Sequence, residues 1–245
     1  MSEFKFPTEV VELPSKGLIY PKDNPLSSGE VEMKYMTAKE EDILTNQNFI
    51  QKGIVIDKLL QSLIVSDINY SDLLIGDKNA IMIAARILSY GSKYEFEYDG
   101  VTQNVDLSSL DILPLNEELS KATSNEFSFT LPNSGNKVTF KLLTHGDERK
   151  IDQEISGLKK LNKDTTNEVT VRLSHIITSV NGLVEPKEVR EFVNNYFLAK
   201  DARAFRKYYQ TLSPDVNMKV TVVDQEDREE EVDVPIGINF FWPDA

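Results

Sequence analysis

Leu13-Pro14-Ser15-Lys16-Gly17 and Leu131-Pro132-Asn133-Ser134-Gly135 are two versions of one phrase, and a second matched pair follows them. Val31 to Met36, with alternating apolar positions, runs into Thr37-Ala38-Lys39-Glu40; Val138 to Leu143 runs into Thr144-His145-Gly146-Asp147. Alternation marks a strand, and a threonine with an acid three residues later marks a helix start, where the two side chains satisfy each other's backbone N–H groups. Further on, Leu60, Leu63 and Ile64 correspond to Leu173, Ile176 and Ile177. Asp77 and Asp201 each open a helix that leads into a two-stranded hairpin. The intervals from Asp77 to Asp201 and from Tyr94 to Met218 are both 124 residues. Six elements in one order predict an α+β fold of two pseudo-repeated halves, each of short β-hairpins plus about three helices. Chance similarity of two α+β segments is the competing reading.

Outward from these landmarks the chain divides as follows. Residues 1–30 carry Phe4, Phe6, Val10, Val11 and Leu13 interrupted by Pro7, Pro14, Pro21 and Pro25, which no helix can cross; they read as an extended N-terminal arm. Residues 31–107 form the first repeat, with helices at Thr37, over Ile54 to Ser66 and over Asp77 to Tyr90, and a hairpin turning at Asp99-Gly100. Residues 108–125 read as a linker with at most a short helix. Residues 126–236 form the second repeat. Within it, Val169 to Val180 suits strand by its β-branched content and helix by its spacing, and the match to Leu60, Leu63 and Ile64 selects helix. Residues 237–245 form an aromatic tail, Phe240-Phe241-Trp242-Pro243.

Composition narrows the function. Forty acidic against 27 basic residues give a net charge of −13, which repels phosphate backbones and anionic membranes and leaves basic surfaces of other proteins as partners. There is no cysteine, hence no disulfide, thiolate metal site or cysteine nucleophile. The longest apolar run, Ala80 to Ala85, is too short for membrane insertion. No basic-then-apolar leader opens the chain, and a cytoplasmic protein is expected. His145 and His175 stand 30 residues apart, without metal-ligand spacing, and read as surface groups of helices. Asp42 and Asp77 read as helix-start residues favoured by the dipole. Thus neither a catalytic residue nor a cofactor nor a metal site is expected. The candidate interaction groups are Phe4, Phe6, Leu18, Ile19 and Tyr20 of the arm and Phe240, Phe241 and Trp242 of the tail. For both segments the alternative is that they close the chain's own core.

Leu13-Pro14-Ser15-Lys16-Gly17-Leu18-Ile19-Tyr20-Pro21, then Met36 to Leu44, the helix end Arg86 to Gly91 and the closing Phe240 to Pro243 together resemble the T4-type bacteriophage baseplate family. That family comprises hub subunits and hub-assembly proteins of tailed phages. The resemblance spans nearly the whole chain and implies a non-catalytic role in the central hub. The implied partners are other hub or tail proteins and the tape-measure protein, met in the host cytoplasm during assembly, with retention in the virion and homo-oligomerisation left open. Relatives carry Cys-x-x-Cys knuckles where this chain has Tyr98-Asp99-Gly100-Val101 and Val223-Asp224-Gln225-Glu226, which implies hairpins held without zinc. A hub-associated cell-wall glycosidase and a non-phage adapter or chaperone are the alternatives.

Overall fold

The computed structural model describes residues 7–161 and 167–241, and the fold is α+β with small antiparallel sheets. Strand β1 (Thr8–Glu12) pairs with β2 (Glu30–Lys34), Thr8 opposite Lys34 and Glu12 opposite Glu30. The residues between them do not form an extended arm. They fold into a compact loop that closes with a hydrogen bond from the Leu13 N–H to the Gly29 carbonyl (2.8 Å) and buries Leu13, Ile19, Tyr20 and Leu26. Proline forbids helix here but suits turns, and Pro25 opens a short 3-10 turn capped by Asn24. Gly17 is required in this loop: at φ 72 its Cβ position would lie 2.5 Å from the Ser27 carbonyl oxygen. A boundary after residue 30 therefore cuts a hairpin.

Helices α1 (Ala38–Leu44), α2 (Gln47–Gln51) and α3 (Val55–Leu63) follow, and Met33 of β2 bridges Ile64 beyond α3. Helix α4 (Ile75–Tyr90) is buried along most of its length and ends at Gly91, φ 83. Arg86 is buried near that end, donating to the carbonyls of Gly91 (2.8 Å) and Lys93 (3.1 Å) beneath the rings of Tyr90 and Tyr94. Strands β3 (Lys93–Tyr98) and β4 (Val101–Asp106) form the expected hairpin at Asp99-Gly100. The connection then carries α5 (Glu117–Lys121), and Ile112 bridges Val216 across the molecule.

The second half opens with β5 (Phe127–Thr130) and β6 (Lys137–Phe140), followed by α6 (His145–Leu161) and α7 (Glu168–Ile176). The helix expected to reach Val180 stops at Ile176, and β7 (Ile177–Val180) joins β6 instead. Both signals in that stretch are real: the helical spacing ends where β6 offers an edge to Ile177, Ser179 and Val180. Helix α8 (Pro186–Asn195), α9 (Ala199–Leu212), the hairpin β8 (Lys219–Val223) and β9 (Glu229–Asp233), and a 3-10 turn at Ile238–Phe241 complete the chain.

Two sets of polar contacts occur in both halves. Glu40 accepts from the Thr37 N–H (3.0 Å) and pairs with Lys34 (2.8 Å); Asp147 accepts from the Thr144 N–H (3.3 Å) and pairs with Lys141 (2.8 Å). Asp77, in the first turn of α4, accepts from the Ser15 N–H (2.9 Å), the Ser15 hydroxyl (2.7 Å) and the Tyr20 hydroxyl (2.6 Å). Asp201, in the first turn of α9, accepts from the Asn133 N–H (2.8 Å), the Asn133 amide (2.8 Å) and the Ser134 N–H (3.0 Å). Each leucine–proline turn is thus clamped by the acid at a helix start, where the helix dipole also favours negative charge. Residues of both halves share one apolar core, to which Phe140, Phe205, Phe240 and Phe241 contribute fully buried rings.

Candidate functional site

A concavity of ≈ 1190 Å³ runs between the two halves. Its walls come from α3, α4, α6 and the segment around Asp215 to Met218. Ile54, Ile75, Met82, Val216 and Ile236 supply apolar surface, and charged groups of both signs alternate with them.

An ionisable cluster lies at its floor. Lys78 of α4 donates to Asp57 of α3 (2.6 Å), and the Tyr70 hydroxyl donates to the same carboxylate oxygen (3.1 Å). His145, the first residue of α6, brings the second half into this cluster. Its N–H donates to the Leu73 carbonyl (2.7 Å), its ring meets Tyr70 edge-on at 4.7 Å, and its Nδ1 lies 3.3 Å from Lys78 Nζ. An ammonium can only donate, so Nδ1 is the acceptor and the imidazole proton sits on Nε2, 3.4 Å from Asp57 Oδ2. Burial, then the neighbouring Lys78 charge, lowers the His145 pKa, with Asp57 partly opposing. Burial and the Asp57 charge push the Tyr70 phenol far up. The imidazole is therefore neutral, 5% exposed, and has a charged neighbour at each nitrogen. Its surface placement expected from sequence is corrected: Tyr70 and Leu73, more than 70 residues earlier, cover it.

Chemically this is a tie between halves. Among the described residues, no serine or threonine hydroxyl is bonded to the His145 ring, its Nε2 makes no hydrogen bond, and the nearby Asp57 carboxylate is paired with Lys78. Asp215, at the groove wall, is likewise engaged, by the Asn79 amide (3.1 and 3.2 Å) and the Val216 N–H (2.8 Å). Burial raises its pKa. Among the described residues, no group of three or more histidine and acidic side chains is arranged to hold a metal ion.

The sequence-derived interaction groups sit elsewhere. Ile19, Tyr20, Phe240 and Phe241 are buried within the chain, and Leu18 packs against the same core. As placed, Ile19, Tyr20, Phe240 and Phe241 present no docking surface, because their apolar area is already covered: Phe240 packs edge-on against Tyr94 at 4.9 Å. Phe4, Phe6 and Trp242 lie outside the described residues. Asp224, in the hairpin turn where relatives carry a knuckle, is buried; it accepts from the N–H groups of Glu226 (2.8 Å) and Arg228 (2.9 Å) and from the Arg228 guanidinium (2.7 Å). That carboxylate organises the β8–β9 turn. Sequence carried no sign that Asp57, Lys78 and His145 would meet.

Fold and groove together define an α+β protein of helices and small antiparallel sheets around a charge-paired cleft. Over residues 8–242 the chain matches the family model described as T4 bacteriophage base plate protein, and it belongs to that family. Comparison with curated proteins and with solved structures returns no match. The chain is accordingly a bacteriophage baseplate protein. No helix among the described residues is long and apolar enough to cross a membrane.

Proposed function

We propose that the protein serves the central hub of the baseplate, as an assembly factor or minor hub subunit, by binding other hub or tail proteins and without catalysis. Family membership along residues 8–242 carries this reading. The state of the groove supports it. A general acid or base needs a titratable group facing substrate, whereas Asp57, His145 and Asp215 are each held by neighbouring side chains. Its volume, ≈ 1190 Å³, also exceeds the ≈ 300–1,000 Å³ usual for small-molecule sites and suits a protein segment. The tape-measure protein and the hub subunits are the partners to try, met in the host cytoplasm during assembly.

Co-expression with the hub and tape-measure proteins of the same phage, followed by affinity capture, tests the reading. Stable co-purification with one of them is expected. Failure with all of them, or clearing of peptidoglycan in a zymogram of the purified chain, would overturn it. Mass spectrometry of mature virions then separates subunit from assembly factor.

A further inference from the structure

We infer that the outer face of the β1–β2 sheet is a docking surface for a baseplate protein that presents an apolar centre flanked by lysine or arginine. This rests on the reading that the chain works by binding other baseplate proteins. Val10 is 61% exposed and stands directly opposite Glu32; Val65, 49% exposed, follows on the other side of Glu32, whose carbonyl accepts from the Val65 N–H (2.8 Å). The face thus has a Val10–Glu32–Val65 row across its middle. Glu12 and Glu30, directly opposite each other, close one end.

Among the described residues, nothing accounts for this composition. Like charges in a directly opposed pair destabilise a sheet, and no described cation lies within ion-pair distance of the carboxylates of Glu12, Glu30 or Glu32. The β5–β6–β7 sheet of the second half shows the ordinary alternative. Its corresponding row is Ser128, Thr139 and Ser179, and the Thr139 hydroxyl bonds those of Ser179 (2.6 Å) and Thr178 (2.9 Å). One sheet bonds the hydroxyls of Thr139, Thr178 and Ser179 to one another; the other leaves two valines and three carboxylates to solvent. An opposing surface with cations around an apolar patch would remove both deficits. A second copy of this chain would not, because face-to-face pairing would bring three carboxylates against three more.

The test uses the full-length chain and the hub protein retained in co-expression, with affinity measured by calorimetry. Val10→Ser with Val65→Thr, which copies the hydroxyl row, is expected to weaken binding by about tenfold or more. Glu12→Gln, Glu30→Gln and Glu32→Gln together are expected to weaken binding while raising Tm, since they relieve the Glu12–Glu30 repulsion. Glu229→Gln with Glu231→Gln, on exposed β9, is expected to leave affinity unchanged, and rising salt is expected to lower it. If the wild-type chain binds but both sets of face variants bind equally well, the surface is wrong and the binding role stands. If the wild-type chain binds no hub or tape-measure protein, the functional reading falls first. Sedimentation showing a dimer that Val10→Ser dissociates would assign the face to a second copy and overturn the inference.

Discussion

At Asp77 three donors converge on one buried carboxylate, two of them hydroxyls that have no other acceptor in the site. Burial raises its pKa, with the Ser15 and Tyr20 bonds opposing. Asp77→Ala is expected to destabilise by about 3 kcal/mol or more, because it strands the Ser15 N–H and both hydroxyls in the core. Asp77→Asn, which keeps an acceptor oxygen, is expected to cost less; thermal melts of the two variants check the order. His145 supplies a pH signature. Its folded pKa lies below the unfolded value, so the unfolded chain binds more protons, and stability drops as pH falls through about 6.5 towards the folded pKa. The groups facing it are Asp57, Lys78, Tyr70, Glu148 and Arg149. Glu40 acts lower down: against burial, bonds from Lys34, Thr37 and Ser62 hold its pKa to about 2, and its contribution is lost between the ordinary 4.5 and that value. In His145→Gln the higher step is expected to vanish and the lower one to remain, as urea midpoints measured from about pH 8 down to about pH 3 would show.

Among the elements, α4 and α6 contain helical glycines with opposite roles. A Cβ at Gly76 of α4 would stand 1.8 Å from the Pro214 carbonyl oxygen, so Gly76 is what lets the segment after α9 lie against the start of α4. Gly76→Ala is expected to destabilise by about 3 kcal/mol or more, since backbone must move. Gly157 lines the groove with nothing within 4 Å of a Cβ. Gly157→Ala is expected to raise stability by about 0.5–1 kcal/mol through helix propensity alone. Denaturant titration of the two variants should move midpoints in opposite directions. Several elements were legible along the chain: α4 from its apolar run and Gly91, the β3–β4 hairpin from Asp99-Gly100, and α1 from Thr37 and Glu40. Others were not. β1 lies between Pro7 and Pro14 in a stretch whose prolines masked it, and α2 has a helical cap at Asn46 but no buried residue to reveal it. β7 exists because β6 is there to pair with.

Across the molecule the halves are joined by more than one kind of contact. Thr144 bridges Leu74, Ile112 bridges Val216, and Gln103 of β4 both donates to the Val223 carbonyl (2.8 Å) and accepts from its N–H (3.2 Å). Asn79 holds Asp215, and His145 closes on Asp57. Unfolding is therefore expected as one cooperative transition, and a fragment of residues 1–107 is expected to fail to fold, its α4 surface being covered by the second half. Calorimetry of the full chain and circular dichroism of the fragment check this; two separated transitions, or a folded fragment, would contradict it.

The sequence alone determined what depends on near neighbours: the α+β class, the capped helix starts at Thr37 and Thr144, the β3–β4 and β8–β9 hairpins, and the absence of thiol chemistry. Spacing and capping act over a few residues, so they are written where they operate. Only the tertiary structure decided the rest. It turned Ile19, Tyr20, Phe240 and Phe241 inward, brought Asp77 to Ser15 and Asp201 to Asn133, placed His145 against Asp57, and left Val10 and Val65 facing solvent. Those outcomes depend on which surfaces meet across 50 residues or more, and burial is a property of the meeting, carried by neither surface alone.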